Sequence, residues 1–261
     1  IQDRVGPNRV GPKGLLQPIA DGIKFLMKED IIPDRADKPI FILAPAILLI
    51  PALMTFAVIP FGSPITLFGR EIALQVADIN VGILYILALT SISVYGIVLA
   101  GWSSNNKYSL LGGLRSSAQL ISYELAMGLA VVSIILLSGS LKLNDIISNQ
   151  QGSFLSWNIF KQPLAFLIFL VAVYAETNRL PFDLSEAEQE LVGGYHTEYS
   201  SMKFAMFFMA EYANMITAAA LTVTLFFGGW DVPLLDEGSL GIVGTIISVL
   251  SFIMKMAFFL F

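Results

Sequence analysis

The sequence contains no cysteine and a single histidine, His196. Without cysteine there is no disulfide, no cysteine-ligated cluster and no thiol nucleophile. One histidine gives no basis for a histidine-built metal site, so no metal ligands are assigned. Charge is scarce as well: Asp, Glu, Lys and Arg make up 13% of the 261 residues, about half the usual share of a soluble chain. A basic face of the kind that follows nucleic acid is absent. So are a phosphate-binding glycine loop and a nucleophile elbow.

What remains is apolar. Hydrophobic residues account for 56% of the chain, and they gather into six runs at roughly 39–61, 79–101, 117–138, 163–179, 204–229 and 240–261. A bilayer crossing needs about 20 such residues. The expected fold is therefore all-α: a polytopic transmembrane helix bundle with six spans in one domain over 1–261. A large soluble helical bundle is the alternative, which six runs with so little charge disfavour. Pro45 and Pro51 are expected to bend the first span, a fault that membrane helices tolerate. The run at 163–179 is the shortest and carries Glu176 near its end.

The organisation follows from the polar stretches. Residues 1–38 begin with a basic, turn-rich loop holding two Val-Gly-Pro repeats. Leu15, Leu16, Ile19, Ile23, Leu26 and Met27 then fall at helical spacing opposite Gln17, Asp21, Lys24 and Lys28. That pattern makes an amphipathic helix, too polar to span, lying on the membrane or against another polypeptide. Transmembrane helices with short loops occupy 39–178, an acidic loop 179–203, and the last two spans 204–261. The stretch SNNKYSLLGGLRSSAQ reads as a polar re-entry segment whose Gly112-Gly113 pair allows close packing. Loops 1–38, 102–116 and 179–203 hold eleven Lys and Arg, against three in 62–78, 139–162 and 230–239. Positive charge marks the cytoplasmic or matrix side, so the amphipathic helix and the acidic loop share it.

Three acids fall inside spans: Glu124, Glu176 and Glu211. Each costs a few kcal/mol at the middle of a spanning helix, which makes intramembrane acids functional candidates. Counted at about 1.5 Å per residue, all three lie in the half of the bilayer nearest the acidic loop. Lys255 falls in the same half by that count and is a candidate countercharge. The residues suggest a buried row of carboxylates that load and release protons. The alternative is that each Glu only pairs with a helix neighbour, as the Glu176/Arg179 spacing allows.

The acidic loop holds Asp183, Glu186, Glu188, Glu190 and Glu198 within sixteen residues. Ser185 and Glu188 match the spacing of a capping box, and Gly193-Gly194 is expected to end the short helix. Capping explains Glu186 and Glu188 but leaves the other acids for a docking surface. His196 is either a proton carrier or a plain hydrogen-bonding residue. Phe204, Phe207 and Phe208 beside Met206 and Met209 suit either a tunnel for a flat, greasy ligand or ordinary packing.

The stretches RVGPNRVGPKGLLQPIADGIK, GWSSNNKYSLLGGLRSSAQLISYE, AETNRLPFDLSEAEQELVGGYHTEYSSMKFA and FFMAEYAN resemble the respiratory complex I family, in the membrane component designated 1 or H. The resemblance runs through nearly the whole chain. It implies an eight-helix membrane component of which this chain supplies helices two to seven. Ile1 in place of a start methionine and Phe261 inside an apolar run agree with segments expected on both sides. It further implies a chain that contributes to a quinone chamber and an acidic proton route. That route would include Glu124 in SYE, Glu176 and Arg179 in ETNR, and Asp183 in PFDL. Glu186, Glu188 and Glu190 in EAEQE would follow, with Glu211 in MAEY. Arg4, Asp21, Phe204 and Phe208 match positions at or near the quinone passage.

The resemblance also implies quinone, ubiquinone or menaquinone, as substrate. It implies no flavin or iron–sulfur cluster in this chain, which would be a non-redox subunit of a proton-pumping NADH:quinone oxidoreductase. Peripheral-arm quinone-site subunits, antiporter-like membrane subunits and the lipid bilayer would be its partners; nucleic acid would not. The expected location is the bacterial cytoplasmic membrane, with the mitochondrial inner membrane as second choice. Two other readings stay open. One is the related membrane component of a membrane-bound nickel–iron hydrogenase. The other is a proton-coupled secondary transporter, which would show inverted repeats that the two halves lack.

Overall fold

A computed structural model of the chain describes residues 5–67, 70–179, 181–183, 188–233 and 241–260. The fold is an all-helical membrane bundle, as expected, with one small addition. Helix α1 is Gln17–Met27, α2 is Lys38–Met54, α3 is Gly82–Ser103 and α4 is Lys107–Ser138. After them come α5 (Leu143–Ser148), α6 (Asn158–Lys161), α7 (Pro163–Glu176) and α8 (Glu188–Leu191). Helices α9 (Ser201–Phe226) and α10 (Ile242–Leu260) close the described chain. The addition is a hairpin of three-residue strands, β1 (Ile65–Leu67) and β2 (Arg70–Ile72), paired antiparallel with Ile65 opposite Ile72.

Among the described residues, five helices are long and apolar enough to cross a membrane: α2 with its 3-10 extension to Val58, α3, α4, α9 and α10. The sixth apolar helix, α7, has only 14 residues and reaches about 21 Å, short of a hydrocarbon core of about 30 Å. Pro163 starts it, and a left-handed residue stops it. Asn178 has φ 49, its N–H donates to the Ala175 carbonyl, and Arg179 N–H reaches back to Tyr174. These are the two bonds of a Schellman motif with Asn178 in the usual glycine position. In α2 the helix runs through Pro45 and Pro51 to Met54, then tightens to 3-10 geometry over Thr55–Val58.

Two polar stretches are more ordered than a reading of loops allows. The segment expected to re-enter the membrane is instead the start of α4, which runs unbroken for 32 residues. Asn106 caps it by accepting from the Tyr108 N–H at 2.9 Å. Its glycines serve close packing: a Cβ on Gly112 would lie 2.8 Å from the backbone of Gly194 and Tyr195. Facing it on α3, a Cβ on Gly101 would meet the Ser109 carbonyl at 2.5 Å. The connection 139–162 folds inward, burying Leu143, Ile146, Ile147 and Gln150. Gln150 is wholly buried and ties that connection to α9. Its amide donates to the Thr224 carbonyl and its carbonyl accepts from the N–H groups of Asn158 and Gly228.

The loops collect at two ends. At one, Asp37 N–H donates to Ser103, Asn105 to Arg35, and the hydroxyl of Ser201 to the Phe25 and Lys28 carbonyls. At the other, Lys142 pairs with Asp78 at 2.7 Å, Ala77 bonds Ala57, and Ser63 bonds Ser248. The first end carries the three Lys- and Arg-rich loops, so charge and geometry agree on the alternation of the helices. Between the ends the interior is close-packed. Phe169, Phe226 and Phe252 are fully buried with Ile83, Ile86 and Ile134. The outward faces carry exposed leucines such as Leu125, Leu129 and Leu136, which suits a lipid surround.

Candidate functional site

Helices α4, α7 and α9 bring the three intramembrane acids together. Glu124, Glu176 and Glu211 line one small cavity of about 30 Å³, walled also by Thr90, Ser93, Tyr195 and Asn214. A second void of about 20 Å³ shares Thr90, Glu176, Thr177 and Asn214 with the first and reaches Thr217. A buried water needs about 10–15 Å³ of such space and two or more polar partners. Both voids satisfy that. Asn214 adds a reason for water, since its Oδ1 is buried without a hydrogen-bond donor among the described residues. Thr217 leads further, bonding Thr55 at 2.9 Å while Thr55 donates to the Ala52 carbonyl.

Glu211 also borders an open groove of about 560 Å³ on the acidic-loop side, with Arg179, Asp183, Asn178 and Tyr174 in its wall. The Arg179 guanidinium stands 3.9 Å from the Glu211 carboxylate, 5.6 Å from the centre of the Tyr212 ring, and donates to the Met215 sulfur. Its ion pair is therefore with α9 and not with Glu176 on its own segment. Asp183 follows a turn closed by Phe182 N–H to the Arg179 carbonyl at 2.7 Å. Gln119 braces that turn, donating to Ala175 and Phe182 carbonyls at 2.7 and 2.8 Å. Glu124 accepts a hydrogen bond from Ser91 on α3.

Two further acids of this loop turn toward α4 and the residue that caps it. Glu190 pairs with Arg115 at 2.7 Å on the surface, and Glu198 accepts from the Asn106 amide. The expectation that Gly193-Gly194 ends the short helix is half met. Helix α8 stops at Leu191, and the left-handed residues are Val192 at φ 69 and Gly194 at φ 66. Glu186 and the Ser185 cap lie outside the described residues, as does the side chain of Glu188.

At the same end, α1 docks on the start of α9. The Phe25 and Phe204 rings are 6.1 Å apart, and His196 lies edge-on to Phe204 at 5.3 Å and tilted against Phe208 at 5.8 Å. Asp21 is one turn along, half exposed, accepting from Gln17 at 3.1 Å. Arg4 lies outside the described residues. Ile19, Ile23 and Leu26 of α1 remain exposed, so its apolar stripe faces away from this chain. Behind the aromatic group Tyr199 stacks on Phe41 at 4.0 Å, with rings parallel to within 2°. Burial pushes its phenol up to about 12, against a weak lowering by Ser103.

Lys255 is not in this site. Its ammonium donates to the carbonyls of Phe227, Gly229 and Asp231 at 3.0, 3.0 and 2.7 Å and sits 4.9 Å over Trp157. That is the opposite end of the bundle. Counting residues from the start of the span placed it too deep, since its ammonium rests on the carbonyls that follow α9. Thr245 and Ser248 on its first turns lie level with the loop at Ser63. Lys255 therefore works as a cap on the carboxyl end of α9, where the helix dipole favours a cation, and not as a countercharge to the glutamates.

Sequence reasoning missed Ser91, Thr90, Asn214 and Gln119. Asn214 was findable, lying three residues beyond Glu211 on the same helix face. Ser91 was not, since only packing of α3 on α4 brings it to Glu124.

Comparison with known proteins adds the following. The family model described as NADH dehydrogenase matches residues 1–261. The H 1 subunit of NADH-quinone oxidoreductase from Geobacter metallireducens is 61% identical over 233 residues, covering 89% of this chain and 70% of that protein. The H 2 subunit of the same enzyme from Koribacter versatilis is 54% identical over 274 residues, covering all of this chain and 77% of its own length. The H subunit from Leptospira biflexa is 55% identical over 271 residues, with 100% and 75% covered.

Proposed function

Because the chain belongs to the NADH dehydrogenase family, as a membrane subunit of NADH-quinone oxidoreductase, we propose that it carries protons for that enzyme through its buried carboxylates. The observation that supports this most is the cavity shared by Glu124, Glu176 and Glu211, three acids from three helices. Acids in a membrane interior are costly, and a structural role does not require three of them around one water-sized space. Glu211 joins that cavity to the groove bordered by Arg179 and Asp183. In this reading protons enter from the acidic loop side at Asp183, pass Glu211, and reach Glu124 and Glu176 through water.

The quinone, as substrate, belongs beside the aromatic group at the start of α9. Phe204, Phe208 and His196 offer flat apolar faces with one titratable ring among them. Asp21 on α1 and Arg4 ahead of it would line the approach. Quinone reduction takes up electrons and protons, the electrons coming from peripheral-arm partners. The change of charge there would move the acidic loop 179–203 or draw protons through it, altering which carboxylates are ionised. Antiporter-like membrane partners would read that change, in a bacterial cytoplasmic membrane.

The test is a set of single Glu→Gln replacements at 124, 176 and 211 in the intact complex, reconstituted in lipid vesicles. The expected result is quinone reduction that no longer moves protons, or that stalls with them. Undiminished translocation in all three variants overturns the assignment.

A further inference from the structure

The Ser91 hydroxyl lies within hydrogen-bonding reach of two groups at once. One is the Leu87 carbonyl, a turn earlier on α3, at 2.9 Å; the other is Oε1 of Glu124 on α4. A serine hydroxyl has one hydrogen to give and two lone pairs to receive. A carbonyl can only accept. If the hydrogen points to Leu87, the bond to Glu124 exists only when Glu124 is protonated and donates to the Ser91 oxygen. If Glu124 is ionised, the hydrogen must turn to the carboxylate.

The Leu87 carbonyl is well supplied either way. It takes the helical N–H of residue 91 and the Thr90 hydroxyl at 3.0 Å. With the Ser91 hydroxyl added it has three donors for two lone pairs, so little is lost when Ser91 turns away. Both protonation states of Glu124 thus keep a hydrogen bond, and they differ by rotation about one bond.

We propose that Ser91 is a positioning residue that lets Glu124 hold and release a proton, its hydroxyl swinging between the Leu87 carbonyl and the Glu124 carboxylate. The proposal rests on the proton-carrying role given to Glu124 above. No bond other than O–H is made or broken: the proton leaves Glu124 to water in the cavity, and the serine hydrogen follows the charge.

The experiment uses the intact complex in lipid vesicles, with Ser91→Ala and Ser91→Thr. Two quantities are read: protons moved per quinone reduced, and the infrared carboxyl band that Glu124→Gln removes. With Ser91→Ala the band should shift and coupled translocation fall about tenfold, the effect of losing one charge-assisted bond. Ser91→Thr, which keeps the hydroxyl, should restore both. An unchanged band in Ser91→Ala overturns the proposal. If Ser91→Ala does not assemble, Ser91→Cys keeps the size with a weak donor and is read in the same way. Should Glu124→Gln leave translocation intact, the role of Glu124 fails, while the band in Ser91→Ala still decides whether the hydroxyl follows its charge.

Discussion

Arg179 pairs with Glu211 across the α7–α9 contact at 3.9 Å, although Glu176 is three residues before it in the sequence. The reason is the helix end between them. Asn178 takes the left-handed conformation, and the chain after it no longer shares the helical face of Glu176. Glu176 is thereby left to the cavity, and Glu211 takes the cation.

That pair is screened on one side, since the arginine side chain is 41% and the glutamate 17% exposed. A contribution of about 1 kcal/mol is expected, the upper range for an exposed pair. A double-mutant cycle with Arg179→Met and Glu211→Gln, read by thermal unfolding of the solubilised complex, should return a coupling of that size. Arg179→Lys should recover only part of it, because an ammonium cannot lie flat against Tyr212 and Met215 together. Full recovery by lysine would show that charge alone matters there.

Tyr199 gives a pH dependence of defined sign. Burial raises its phenol from an ordinary value of about 10 to about 12. The folded state then holds the phenol proton more tightly than the unfolded state. Its contribution is complete below about pH 10, and is lost as pH climbs through the folded value. Alkaline unfolding of the wild type should therefore steepen in that window, and Tyr199→Phe should flatten it. Since the Ser103 contact is long at 3.4 Å, the phenylalanine variant should cost no more than about 1 kcal/mol at neutral pH. A phenolate signal from Tyr199 below about pH 10 would contradict this.

The glycines of α4 separate packing from propensity. Gly112→Ala would push a Cβ to 2.8 Å from backbone atoms of Gly194 and Tyr195, which cannot rotate away. It should destabilise by about 1–3 kcal/mol and shift the resonances of His196. Gly128 has nothing within 4 Å of a Cβ, so Gly128→Ala should stabilise by about 0.5–1 kcal/mol through lost unfolded-state freedom. Equal effects at both positions would show that the 193–196 segment does not rest on α4.

The span positions were legible because apolar length is a direct demand of the bilayer, and so was the side on which the basic loops meet. The gathering of Glu124, Glu176 and Glu211 was foreseeable for a related reason: depth is simply residue count along antiparallel helices. The same count misplaced Lys255, whose ammonium sits on the carbonyls that follow α9 and not in the half that holds the glutamates. The close packing at Gly112 and Gly113 was legible too, but not that the polar stretch carrying them is the start of one continuous helix. The inward fold of 139–162 is tied to α9 by Gln150 and Asn158: the Gln150 amide donates to the Thr224 carbonyl, its carbonyl takes the Gly228 N–H, and the Asn158 amide donates to the Leu225 carbonyl. No local pattern announces that.

Lys255 and Asp231 close the far end of the bundle, and their removal should be asymmetric. Asp231 is 4% exposed, and burial raises its carboxyl pKa while the Lys255 charge opposes the rise. A raised carboxyl keeps its stabilising share only below the unfolded value of about 3.9, and loses it as pH rises through the folded one. Lys255→Met removes the opposing charge, so its penalty should grow from acid to neutral pH. At neutral pH it should be largest, because the buried carboxylate is then ionised without the opposing Lys255 charge. Adding Asp231→Asn should remove the pH dependence and return part of the loss. What stays lost is the capping of the Phe227 and Gly229 carbonyls, which an asparagine at 231 cannot replace. Thermal unfolding of the three variants at two pH values measures each share, and a pH-independent penalty for Lys255→Met would show that capping alone explains the lysine.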